Sequence, residues 1–143
     1  MCSSDLEALA LAGENAAGLE LTERVKLLKS DWFSALPDGA RFDLIVANPP
    51  YLSAVEATET APEVGGFEPL SALTPTGGLS GMEDLRTIIS GAAEYLAPGG
   101  FLALETGPEQ HPELLTLLTA AGFTRCVSEA DLTGRSRFLF ASI

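Results

Sequence analysis

Four consecutive residues, Asn48-Pro49-Pro50-Tyr51, carry an unusual hydrogen-bonding inventory. Pro49 and Pro50 have no backbone N–H, so the stretch presents carbonyl acceptors with almost no competing donors. A residue before proline is driven to extended backbone, which stiffens both Asn48 and Pro49. Asn48 adds a side-chain carbonyl, and Tyr51 adds a flat aromatic face. Together they suit a planar –NH2 group, with two acceptors for its two hydrogens and a ring along its plane. Holding both hydrogens leaves the nitrogen lone pair aimed outward, which positions a poor amide or exocyclic nucleophile. A plain strand-ending turn is the alternative, since Asn-Pro starts turns often. The whole string placed after an apolar strand favours the chemical reading.

Other residue types capable of chemistry are sparse. Asp31 lies beside Trp32, where it either caps a turn or meets a ligand. Glu105 closes a strand and reads equally as a solvated end charge. His111, the single histidine, precedes Pro112 and reads as a helix-entry residue rather than a base. Arg135 and Arg137 either meet an acidic partner or decorate a hairpin. The two cysteines, Cys2 and Cys126, form neither a disulfide framework nor a zinc site by themselves.

These residues need elements to position them. Residues 5–17, rich in Ala and Leu, predict a helix with Ser4 or Asp5 as its cap and Gly18 as its stop. Residues 25–29 predict a short strand that runs into the polar turn before Trp32. The nearly continuous apolar run 42–47 predicts a strand buried on both faces of a parallel sheet. Asn48 follows directly, at the carboxyl end where open α/β sheets bind ligands. Residues 53–81 show no periodicity, and a loop of that length in a compact domain is usually functional. Met82, Leu85, Ile88, Ile89, Ala92 and Leu96 mark an amphipathic helix stopped by Pro98-Gly99-Gly100. A strand at 101–105, a helix at 112–121 stopped by Gly122, and an antiparallel strand pair at 123–128 and 137–142 complete the pattern. Strands alternating with helices indicate an α/β sheet with crossover helices.

Composition bounds the function. A chain of 143 residues is about one domain, and 46% apolar against 20% charged residues is globular composition. Its net charge of −12 argues against sequence-independent nucleic-acid binding. No apolar run approaches the ~18 residues of a membrane span, and no leader pattern is present. A cytoplasmic location is the expectation.

Asn48-Pro49-Pro50-Tyr51 resembles the hallmark of class I S-adenosylmethionine-dependent methyltransferases that modify amino nitrogens. Three further strings resemble the HemK-type release-factor glutamine methyltransferases. They are Phe67-Glu68-Pro69 with Ala72-Leu73, Gly77-Gly78, Gly81 and Arg86; Leu104-Glu105-Thr106-Gly107 with Gln110; and Asp131-Leu132-Thr133-Gly134-Arg135 with Arg137. The resemblance implies a Rossmann-like methyltransferase sheet, with residues 1–143 forming a partial domain that lacks the glycine-rich cofactor loop and the helical N-terminal domain. It implies that Asp31 and Trp32 contact the adenine of S-adenosylmethionine, that Asp5 is the candidate for its ribose, and that Asn48 lies beside it. Asn48 Oδ1 and the Pro49 carbonyl would accept the glutamine amide hydrogens, with Pro50 and Tyr51 completing the site. Phe67, Glu68 and Pro69 would contact a substrate that enters as an extended peptide of the release factor. The electrophile is a sulfonium, so no metal is implied. Leu70, Leu79 and Ser80 depart from the family pattern. Two rival readings stand beside this one: an amino-nitrogen methyltransferase acting on RNA or DNA, and a non-catalytic remnant of a truncated gene. The missing first strand leads to a further expectation: with an apolar edge exposed, the chain alone aggregates, self-associates or melts at low temperature.

Overall fold

A computed structural model describes residues 4–51 and 81–143. The chain divides into two compact units, Met1–Asp38 and Gly39–Ile143.

In the first unit, helix α1 spans Ser4–Gly18. Its Ala- and Leu-rich sequence has high intrinsic helix propensity. The side chains of Ser4 and Asp5, expected at the cap, lie outside the described residues. The helix closes differently from the expectation. The left-handed residue is Glu20, with φ 55°, rather than Gly18. The Leu21 N–H donates to the Ala16 carbonyl at 2.8 Å and the Glu20 N–H to that of Ala17 at 3.0 Å. These paired bonds make a Schellman closure, and they place its strained position two residues beyond the glycine.

The strand expected at 25–29 does not form. The Val25 N–H instead donates to the Leu21 carbonyl at 2.9 Å, and the backbone beyond it is irregular. A strand persists only when a neighbour satisfies its backbone groups. All strands of the described sheet belong to the second unit, so high strand propensity at 25–29 finds no ladder there.

The second unit carries β1 (Phe42–Ala47), α2 (Glu83–Tyr95), β2 (Leu96–Glu105), a 3₁₀ turn (Pro108–Gln110), α3 (His111–Ala120), β3 (Arg125–Ala130) and β4 (Ser136–Ser142). The sheet order is β1-β2-β4-β3. β1 and β2 are parallel, whereas β4 runs antiparallel to both β2 and β3. The expected final antiparallel pair is therefore present. Helix α2 ends at Tyr95, short of the expected Leu96, because Leu96 is already extended (φ −78°, ψ 141°). Leu96 pairs with Phe42, and Pro98-Gly99-Gly100 lies within β2 rather than capping the helix.

The apolar stripe of α2, Leu85, Ile88, Ile89 and Ala92, is buried. It follows the i, i+3, i+4, i+7 spacing of one helix face. Leu114 and Leu118 of α3 are buried too. Both helices pack on the sheet, over the face that carries the buried Leu102, Leu104, Leu139 and Ala141. Truncating such a leucine to alanine costs ~2–5 kcal/mol.

The opposite face corrects the expectation for β1. Its residues Leu44 and Val46 are 58% and 70% exposed, so β1 is not buried on both faces. Phe101, Phe140 and Val127 continue the exposed face on the other strands. The register aligns Val46, Ala103, Phe140 and Val127 in one row across the sheet. A continuous apolar run makes both faces of a strand able to be buried. Among the described residues, helices cover only one of them, and β1 is an edge strand.

Candidate active site

The strand end Asn48–Tyr51 lies just beyond β1. Asn48 is exposed and its side chain makes no hydrogen bond among the described residues, Pro49 is buried, and Pro50 and Tyr51 are half-buried. An exposed amide side chain at the carboxyl end of a parallel strand is available to a ligand. The two prolines fix the approach to Tyr51 but leave its side-chain torsions free.

Tyr51 is held by residues far away in sequence. Its hydroxyl donates to Glu105 Oε1 at 3.1 Å and accepts from Arg137 Nη1 at 2.8 Å. The Arg137 guanidinium carbon lies 5.6 Å from the ring centroid, within cation–π range. The Tyr51 carbonyl accepts from Gln110 Nε2 at 3.0 Å. Burial raises the Tyr51 phenol above its ordinary pKa; the Arg137 cation opposes this and the Glu105 carboxylate reinforces it. Tyr51 therefore stays protonated at neutral pH.

Gln110 forms a clasp. The same Nε2 donates to the Gly81 carbonyl at 3.1 Å, and Oε1 accepts the Gly107 N–H at 2.9 Å. Gly81 has φ 70°, and a Cβ there would overlap the Tyr51 carbonyl oxygen. Only glycine tolerates both conditions. The chain thus leaves the sheet at Tyr51 and re-enters the described residues at Gly81 directly beside it.

Behind this clasp, His111 is 4% exposed. Its Nε2 pairs with Thr106 Oγ1 at 2.8 Å and its Nδ1 with Ser128 Oγ at 2.7 Å. Desolvation first, and Arg137 second, push its pKa below the ordinary value. The structure accordingly makes His111 a bracing residue at the start of α3, as the sequence indicated.

Asp31 and Trp32 belong to the first unit. Asp31 is exposed and Trp32 half-buried, and Trp32 is left-handed with φ 48°. A non-glycine residue held there costs ~1–2 kcal/mol. Ser30 stabilises the turn: its hydroxyl donates to the Trp32 carbonyl at 2.8 Å and accepts the Ala35 N–H at 2.9 Å. Asp31 N–H donates to Ser34 Oγ at 3.1 Å. Asp5 lies within α1. Phe67, Glu68 and Pro69, with the rest of 52–80, lie outside the described residues.

Glu105, Gln110 and Arg137 lie in recognisable strings of the sequence, but nothing in those strings joins them to Tyr51. Their convergence follows from the β2–β4 register, in which Glu105 pairs with Phe138, the neighbour of Arg137. Among the described residues, no helix is long and apolar enough to cross a membrane.

A mixed four-stranded sheet with flanking helices and an Asn-Pro-Pro-Tyr strand end is consistent with a partial class I methyltransferase fold. No protein-family model matches the chain. Its sequence is 46% identical over 136 residues to the release factor glutamine methyltransferase of Cereibacter sphaeroides, covering 95% of this chain and 48% of that protein. It is 42% identical to the enzyme of the same name from Gloeobacter violaceus, over 84% of this chain and 41% of the relative. The corresponding figures for Prochlorococcus marinus are 41%, 96% and 46%. The chain is homologous to the C-terminal part of the release factor glutamine methyltransferases, and it spans about half the length of the curated relatives it matches.

Proposed function

We propose that this chain is a partial methyltransferase domain carrying the acceptor side of an S-adenosylmethionine-dependent reaction at the side-chain amide of glutamine in a peptide-chain release factor. The observation that carries this reading is the strand end itself. Asn48 is exposed and without a side-chain partner among the described residues, beside two prolines that offer carbonyls and no N–H. Asn48 Oδ1 and the Pro49 carbonyl accept the two amide hydrogens, Pro50 keeps the stretch free of competing donors, and Tyr51 packs against the amide plane. The two acceptors orient the nitrogen lone pair outward. Loss of the amide proton follows transfer, so no strong base is needed, and His111 with its lowered pKa remains a structural residue.

For the cofactor, the chemistry of Asp31 and Trp32 fits adenine. An exposed carboxylate suits the amino edge of the base, and an indole suits its face. Asp5 is the candidate for the ribose. When bound, S-adenosylmethionine supplies the sulfonium methyl group. The names of the relatives support a release factor as the substrate, and a net charge of −12 disfavours the nucleic-acid alternative.

Single-turnover methylation of a release factor by the chain completed with an upstream glycine-rich segment, with parallel cofactor titration, tests the reading. Asn48→Ala leaves a substrate N–H unpaired and misorients the lone pair, so the rate falls at least about a hundredfold while cofactor affinity stays nearly unchanged. Asn48→Asp keeps the acceptor oxygens and shape but adds charge beside the sulfonium; it strengthens cofactor binding and still slows transfer. Near-parental turnover by Asn48→Ala overturns the amide-clamp reading.

A further inference from the structure

We propose that Arg137 is a positioning residue for the acceptor site: it holds the Tyr51 ring in the orientation from which Tyr51 packs against the amide. This rests on the methyltransferase reading above and gives the C-terminal hairpin a task within it.

The hairpin turn first fixes a carboxylate. Asp131 Oδ1 accepts the Thr133 N–H at 2.8 Å, the Thr133 hydroxyl at 2.6 Å and the Arg135 N–H at 3.1 Å. The second oxygen, Oδ2, lies 4.0 Å from Arg137 Nε. The other edge of the same guanidinium then reaches two groups through Nη1, the Tyr51 hydroxyl at 2.8 Å and the Thr106 carbonyl at 3.5 Å. A planar fork can face a carboxylate on one edge and a hydroxyl with a carbonyl on another, whereas a lysine ammonium is a single point on a flexible stem.

Tyr51 needs such a partner. It is only half-buried, so packing alone does not set its ring torsions, and the prolines before it restrain backbone rather than side chain. Glu105 binds the hydroxyl alone. Arg137 binds the hydroxyl and also lies against the ring, so it fixes the plane as well as the tip. The order of transmission runs from turn to Asp131, to Arg137, to Tyr51.

The test uses the full chain with Tyr95→Phe, which leaves Tyr51 as the sole tyrosine of the two. Ring NMR signals and hydroxyl titration are followed with Arg137, Arg137→Lys and Arg137→Leu. With arginine, the two ring edges give distinct signals. Arg137→Leu averages them and moves the titration upward, since the lost cation is the one that lowers the phenol pKa. Arg137→Lys keeps the charge but not the fork, so the titration stays near the parent while the ring averages. Methyl transfer to a release factor supplies a double-mutant cycle. Arg137→Leu lowers kcat at least about tenfold beside Tyr51 and less than about twofold in a Tyr51→Leu background, which has no ring to hold. Equal losses in both backgrounds, or ring signals unchanged in Arg137→Leu, overturn the proposal. Should the leucine variant fail to fold, a fixed ring in Arg137→Lys overturns it instead. Inactivity of the chain completed with an upstream glycine-rich segment defeats the methyltransferase reading, and the ring signals still decide whether Arg137 holds Tyr51.

Discussion

The two candidate ligand-binding segments of this chain are built in opposite ways. Asn48–Tyr51 is organised by tertiary structure: the partners of Tyr51 are 54, 59 and 86 residues away in sequence. The turn at Asp31 and Trp32 is organised locally, by Ser30 and Ser34 bonds that span no more than five residues. Conformational entropy makes this difference matter. A local turn loses little on ordering and forms on its own, whereas a long-range clasp exists only while the whole second unit is folded. The acceptor segment therefore reports global stability, and the segment proposed for adenine does not.

The sharpest way to break the contrast is Gly81→Ala. The new Cβ meets the Tyr51 carbonyl and the backbone is left-handed, so strain and loss of the Gln110 clasp together cost about 3 kcal/mol or more. Urea denaturation should show it as a lowered midpoint. Equal stability of the variant would mean that the clasp is not part of the folded core.

Gln110→Ala keeps the backbone geometry but unpairs the Tyr51 and Gly81 carbonyls and the Gly107 N–H. The expected loss is about 2 kcal/mol, again from urea melts. The Trp32 emission of the folded state should stay as in the parent, because its turn bonds are local; a shifted emission would erase the distinction between the segments.

A smaller effect comes with pH. His111 has a folded pKa below its unfolded value near 6.5, so the unfolded state takes up the proton first. Its contribution is complete above about 6.5 and is lost as pH falls from there through the folded pKa. Melting temperature should drop across that window, and His111→Asn should flatten the slope. An identical slope in both proteins would remove His111 from the account.

Ser30→Ala has the smallest effect, roughly 1 kcal/mol or less. It removes the bonds to the Trp32 carbonyl and the Ala35 N–H. Hydrogen exchange should quicken around 30–36 and stay unchanged at Tyr51 and Gly107. Faster exchange at both places would show that the turn is not autonomous.

What the sequence made legible follows the range of the interaction. The α2 stripe, the closing β-hairpin and the Gly122 stop depend on neighbours within a few residues, and all three are present. Gly122, with φ 96°, ends α3 with its N–H on the Thr119 carbonyl. The α1 closure misled because a Schellman turn needs one left-handed residue, and Glu20 takes that strain although a glycine stands close by. Residues 25–29 misled for another reason: β propensity describes a surface that fits a sheet, not the presence of one. Within the site, Asn48-Pro49-Pro50-Tyr51 was legible because its inventory of donors and acceptors is written in consecutive residues. The grip of Glu105, Gln110 and Arg137 on Tyr51 was not, because a strand register decides it.

The sheet face that no helix covers among the described residues bears on how the chain behaves in solution. Leu44, Val46, Phe101, Phe140 and Val127 meet water together, and their attraction to a similar face is entropic near room temperature, so it weakens on cooling. A preparation of this chain should disperse in the cold and turn turbid on warming, well before its helices melt. Sulfate should precipitate it at lower concentrations than chloride, because excluded salts strengthen apolar association. Dilution at low temperature should clear the turbidity, since the attraction involves no rearrangement of the strands.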